Sequence, residues 1–211
     1  MLVEYIIGGI LSCVPCCVMA AIAIFIGVIA AVIMIVSKRR KSYEMNLNFL
    51  TQEVGGELKK GGLLDNPSLA GEYRGRKFLI DSFTRTTQNY DQENVTTYYQ
   101  RMQVWHKGKF KGEISVQRET LFSGLSKMMG VQDIKIGNEE FDKLFMVKGS
   151  EEQVRKLLDS SLQQKLVSMK MSFNLYPDKV YFETATTLNE KDKIRAVLDL
   201  LSEIADRVEK W

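Results

Sequence analysis

The sequence predicts an α+β protein: an N-terminal transmembrane helix followed by an antiparallel β-meander and a βαββα-like C-terminal half. Three observations carry that reading. Residues 5–36 contain no charged side chain, while the rest of the chain is densely charged. A middle stretch alternates apolar and polar residues between Gly-containing turns, and the C-terminal stretch repeats its apolar residues with helical period. The expected division is an anchor with a basic junction at 1–41 and a soluble α+β domain at 42–211, with sub-halves at 42–130 and 131–211.

Residues 18–36 are nineteen uncharged residues. At about 1.5 Å per residue such a helix crosses roughly 28 Å, close to the hydrocarbon thickness of a bilayer. The apolar run from Tyr5 is too long for one untilted span and too short for two, so residues 5–14 read as an interfacial extension with a break near Pro15. A cleaved signal needs positive charge before its apolar core, whereas here the early charge is Glu4 and the exit is Ser37-Lys38-Arg39-Arg40-Lys41. Those four cations, Lys38, Arg39, Arg40 and Lys41, all lie on the C-terminal side, so the positive-inside rule predicts a single-pass cell-membrane protein with its N-terminus outside and its domain in the cytoplasm. The Asn94-Val95-Thr96 sequon then meets no glycosylating enzyme.

Charge divides the same way. Removing Lys38, Arg39, Arg40, Lys41 and Glu4 from totals of 29 basic and 26 acidic residues leaves 25 of each, so the domain is formally neutral. The net charge of +3 belongs to the membrane junction. It points to the lipid bilayer and its anionic headgroups as partner and away from nucleic acid. All three cysteines, Cys13, Cys16 and Cys17, fall in the apolar run, leaving the domain no disulfide framework. Counting back from residue 36 puts Cys16 at the outer interface, where the three thiols either pack in the membrane helix or form a disulfide on the oxidising side. One histidine and no domain cysteine argue against a metal site, and no cofactor motif survives inspection. The spacing from Gly56 to Gly61 imitates a phosphate loop, but Gly62 stands where the lysine is required.

Within the domain, Tyr43, Leu47, Leu50 and Val54 mark a helix over 42–54, stopped by Gly55-Gly56, with an irregular stretch through Gly61-Gly62 and Asn66-Pro67. Strands are predicted at 69–73 and 77–85 around the turn Arg74-Gly75-Arg76, and at 95–106 and 113–118 around Lys107-Gly108-Lys109. A partly helical segment is expected at 121–130. There follow a strand at 144–148, a helix from Ser150 opened by a Ser150–Gln153 capping box, two strands about Tyr176-Pro177-Asp178, and a final helix from about residue 189. Its stripe of Ile194, Val197, Leu201, Ile204, Val208 and Trp211, widened by Leu198 and Ala205, suits a core helix or a seam between two copies of the chain.

The segment Ile136-Gly137-Asn138-Glu139-Glu140-Phe141-Asp142, with Phe145-Met146-Val147, resembles an uncharacterised family of prokaryotic membrane-anchored proteins. Gly71-Glu72-Tyr73-Arg74-Gly75-Arg76 resembles that family's upstream turn. The resemblance implies the strand, helix, two-strand, helix order and no assigned activity.

Candidate sites are few. Arg74, Arg76, Lys77, Lys107, Lys109 and Lys111 cluster at two turn tips and form the basic surface patch. Asp142 after Phe141 reads as a turn-closing carboxylate, with a pocket carboxylate as the alternative. Asp81, Glu113, Glu119 and Asp133 lack partner spacing for acid–base chemistry. His106 beside Trp105 reads as a strand-end pair or a stacking site. The expected function is a non-enzymatic interaction or scaffold module with a protein partner, a homo-oligomer included. The alternatives are a domain sensing a small ligand or lipid headgroup, and an enzyme of unrecognised type.

Overall fold

The computed structural model describes residues 2–62, 65–88, 93–119, 133–185, 188 and 190–211, with the side chains of 2–17, 39 and 40 excepted. The chain divides into two compact units, Met1–Tyr43 and Glu44–Trp211. The segment expected to be partly helical at 121–130 lies outside the described residues.

Helix α1 (Leu2–Val54) contributes all the described residues of the first unit. Two expectations are corrected here. The helix runs through Pro15 without a break, since a proline in an apolar helix forfeits one backbone hydrogen bond without ending it. The helix expected at 42–54 is the end of the same α1, because Lys38-Arg39-Arg40-Lys41-Ser42 contains no glycine or proline to stop it. Every residue from Val18 to Lys38 is exposed. A core helix buries its apolar side chains; this segment buries none, and by length and composition it can cross a membrane.

The second unit holds β1 (Glu57–Lys59), β2 (Ser68–Tyr73), β3 (Arg76–Gln88), β4 (Asn94–Trp105), β5 (Ile114–Arg118), α2 (Glu139–Leu144), β6 (Phe145–Lys148), α3 (Glu151–Leu157), α4 (Ser160–Met169), β7 (Phe173–Leu175), β8 (Lys179–Thr184) and α5 (Lys191–Glu209). The eight strands form one sheet in the order β1-β2-β3-β4-β8-β7-β5-β6, every pairing antiparallel. The α+β class is thus present, with the meander formed by β1 to β4.

The β2–β3 turn follows the sequence closely. Arg74 (φ 51°) and Gly75 (φ 74°) both adopt positive φ between paired Tyr73 and Arg76, the two-residue turn whose twist matches a hairpin. The expected β4–β5 hairpin is absent. Eight residues separate Trp105 from Ile114, too many for a tight turn, and the β7–β8 hairpin occupies the place beside β4. There Met102 meets Phe182 and Val104 meets Val180, matching two apolar faces. Strand β1, in the stretch read as irregular, pairs with β2 because Gly56 and Gly71 let the backbones close: a Cβ on Gly71 would stand 2.5 Å from Gly56 Cα.

One face of the sheet is the core. Leu69, Phe78, Ile80, Met102, Val104, Val116, Phe145, Val147, Phe173 and Val180 are buried there. The apolar stripe of α5 is buried with them from Ile194 to Val208, and α5 packs on β4 and β8, so the stripe is a core face and leaves no seam for a second copy. The helix expected from Ser150 is two helices. Ser150 makes no side-chain cap, correcting the capping box; Asp159 instead caps α4 by accepting from Leu162 N at 2.8 Å.

Candidate functional site

The family-like step at 136–142 builds structure. Asn138 caps α2, accepting from Phe141 N at 3.3 Å, and its amide donates to Gln163 Oε1 at 2.8 Å. The buried Gln163 in turn donates to the Leu158 carbonyl at 2.7 Å. Asp142 accepts from Ile136 N at 2.9 Å and Gly137 N at 2.8 Å, the turn-closing role, while Phe141 is buried and stacked on Phe145 with ring centroids 4.9 Å apart. Both carboxylate oxygens are thus occupied by backbone.

Two of the other acids, Asp81 and Asp133, are ion-paired. Asp81 sits directly across from Arg101 and forms a bidentate pair with it, 2.7 Å at Nε. Asp133 accepts from Val147 N at 2.9 Å and pairs with Lys135 at 2.7 Å, covering the edge of β6. Glu113 and Glu119 are exposed. His106 is buried; Gly108 N–H donates to its Nδ1 at 3.2 Å, so Nε2 carries the hydrogen shared with the Tyr176 carbonyl at 3.0 Å. That is a satisfied strand-end histidine.

The basic residues of the two turns separate into different environments. Arg74 pairs with Asp199 at 2.8 Å and Arg76 with Asp206 at 2.7 Å and with Glu209, all on α5. Tyr73 adds a hydrogen bond from its hydroxyl to Asp199 at 2.7 Å. Lys77 is exposed on the sheet, and Lys107, Lys109 and Lys111 are exposed on the segment after β4. Lys38 and Lys41 are exposed on α1, and the side chains of Arg39, Arg40, Cys13, Cys16 and Cys17 lie outside the described ones.

The face of the sheet opposite the core carries Arg101 and Gln103, as the alternation along β4 predicts, together with residues of the neighbouring strands. Its side chains are exposed or half-exposed, Gln103 excepted. Phe83 and Tyr99 stack at 5.6 Å with Arg85 over Tyr99 at 4.7 Å; Arg85 makes a two-pronged pair with Glu183, 2.9 Å at each nitrogen. Burial first, then the hydrogen bond to Glu183, pushes the Tyr181 phenol well above its ordinary value. Toward β1 the same face sinks into an open depression lined by Ala70, Leu79 and Trp105, with Glu57, Lys59, Glu72 and Lys77 around it. The two-residue alternation of β3 and β4 was the available signal, but it takes the register across four strands to assemble the face. Among the described residues no group of three metal-ligating side chains occurs.

No protein-family model and no curated protein matches this chain. Among solved structures, the crystal structure of a mycobacterial trehalose monomycolate transport factor matches it with a TM-score of 0.50 at 12% identity, covering 81% of this chain and 94% of that one. At that identity the likeness is one of fold.

Proposed function

We propose that the chain is a single-pass membrane protein whose α+β domain works at the cytoplasmic face as a non-enzymatic interaction module. The observation that carries this is the helix segment Val18 to Lys38, wholly exposed and apolar to residue 36, attached to a domain with a core of its own. The placement of the acids supports it: Asp81, Asp133 and Asp142 are committed to backbone or arginine and lysine partners, which leaves them no role as general acid or base. A transport factor from a mycobacterium shares the fold, which is in keeping with a role other than catalysis. Affinity isolation of the full chain in mild detergent, followed by mass spectrometry, tests it: stoichiometric protein partners are expected. A bound metabolite without a protein partner would overturn it in favour of a ligand-sensing domain, for which the depression beside Trp105 is the available site.

A further inference from the structure

The chain leaves β4 at Trp105 and reaches β5 at Ile114 through a segment whose residues alternate between anchor and display. His106 and Phe110 are 8% and 4% exposed, and Gly108 lies so close to α5 that a Cβ there would stand 2.9 Å from the Val208 carbonyl oxygen. Lys107 N–H also donates to Glu209 at 2.8 Å. Between these fixed points the side chains of Lys107, Lys109 and Lys111 are exposed. Beside them Lys156 of α3 lies over the Trp211 ring at 5.0 Å, and Trp211 meets Phe110 edge-on at 5.8 Å. Lys109, Lys156 and Trp211 share a small cleft with Glu152.

Unlike Arg74 and Arg76, which α5 neutralises, these four lysines have no ion pair among the described residues. Glu113 is the exposed acid nearest Lys111 in the chain, and Asp159, paired with Arg207, is the one nearest Lys156.

We propose that the Lys107–Lys109–Lys111 segment, with Lys156 and Trp211, is a docking face for an anionic lipid surface. The proposal rests on the anchored reading of the chain. Lysines beside a half-buried tryptophan are headgroup-level chemistry: the ammonium groups meet lipid phosphates while the indole takes the boundary between water and hydrocarbon. Residues 42–211 are charge-balanced as a whole, so the domain has no net positive field to collect soluble polyanions. A tether makes the encounter with lipid intramolecular, and a modest local patch then suffices. Each lysine near an anionic surface is worth about fivefold in binding, so three carry most of the effect. Their fixed backbone spares the ordering that a flexible basic tail requires.

The test is lysine footprinting of the full chain in nanodiscs of phosphatidylcholine alone or with phosphatidylserine. With the anionic lipid, Lys107, Lys109, Lys111 and Lys156 should label several-fold more slowly while Lys59 and Lys77 stay unchanged. Raising salt to 0.5 M, where screening acts within roughly 4 Å, should remove the protection. In the triple variant Lys107→Gln, Lys109→Gln, Lys111→Gln, protection of Lys156 should disappear. Equal labelling in both nanodiscs overturns the docking face and leaves the anchor standing, whereas a chain that enters neither nanodisc overturns the anchor and this proposal together. Equal protection by soluble RNA in the neutral nanodisc would make the face a general polyanion site and overturn the lipid assignment.

Discussion

Gly71 shows how much one hydrogen atom decides in this domain. Its neighbour across the β1–β2 pairing is Gly56, and a methyl group on Gly71 would stand 2.5 Å from the Gly56 Cα, a backbone atom with no side-chain freedom to move aside. Gly71→Ala should therefore lower stability by about 1–3 kcal/mol, the usual range for overpacking, and detach β1. Urea unfolding should show the loss; Gly75→Asn, at a positive-φ turn position with open space around it, should not. An unchanged midpoint in Gly71→Ala would mean that β1 does not pair as described. At this scale the sequence was partly legible. The Arg74-Gly75 turn follows from residue type alone, and Asp142 closes a turn as its position after Phe141 suggests. The glycine contact was not legible, because Gly56 and Gly71 read as two local breakers and only the pairing makes them one site.

Helices α4 and α5 are joined through charge as well as packing. Asp159 caps α4 and pairs with Arg207 of α5 at 2.5 Å; Arg207 also reaches Glu203 at 3.0 Å, which Lys165 of α4 holds at 2.6 Å. The hydrogen bond from Arg207 and then that from Leu162 hold the Asp159 carboxyl below the ordinary carboxylate range. Burial alone would raise Glu203, but the bonds from Lys165 and Arg207 outweigh it and lower it too. A depressed folded pKa contributes stability that is present above the unfolded value, near 4, and is lost as pH falls through the folded value. Thermal melting from pH 6 to 2 should thus show a midpoint that drops below about pH 4, and the drop should be shallower in Asp159→Asn/Glu203→Gln; an equally steep drop would remove this network from the acid response. The α5 stripe itself was legible from its spacing, yet spacing cannot tell a sheet from a second helix. Burial of Leu201 against the core decides that, so Leu201→Asp should cost several kcal/mol or leave the chain insoluble. A folded variant that has only lost self-association, seen by melting with light scattering, would contradict it. The insertion of β7–β8 beside β4 was beyond reach of the sequence, since neighbouring turns suggest neighbouring strands and this pairing spans some eighty residues of chain.

For the whole molecule the decisive asymmetry is between a segment that buries nothing and a domain that buries its apolar stripes within itself. Leu47, Leu50 and Val54 at the end of α1 are buried, and all three belong to the second unit. The proposed orientation depends on charge alone. Lys38, Arg39, Arg40 and Lys41 follow the apolar segment at once, and Glu4 is the charged side chain that residues 1–17 contain. Translocating four cations opposes both the membrane potential and the insertion preference, so they should hold the C-terminal side in the cytoplasm. A reporter that fluoresces only in the cytoplasm should be active at the C-terminus of the wild-type chain, and a reporter active only outside should be silent there. Replacing all four cations by Gln leaves Lys59 and Lys60 as the next basic residues, more than twenty positions from residue 36 and at the limit of the rule's reach, so the two reporters should then give mixed signals. A wild-type C-terminus active only outside would reverse the topology, expose Asn94 to any glycosylating machinery present, and turn the lysine segment after β4 toward the outer leaflet.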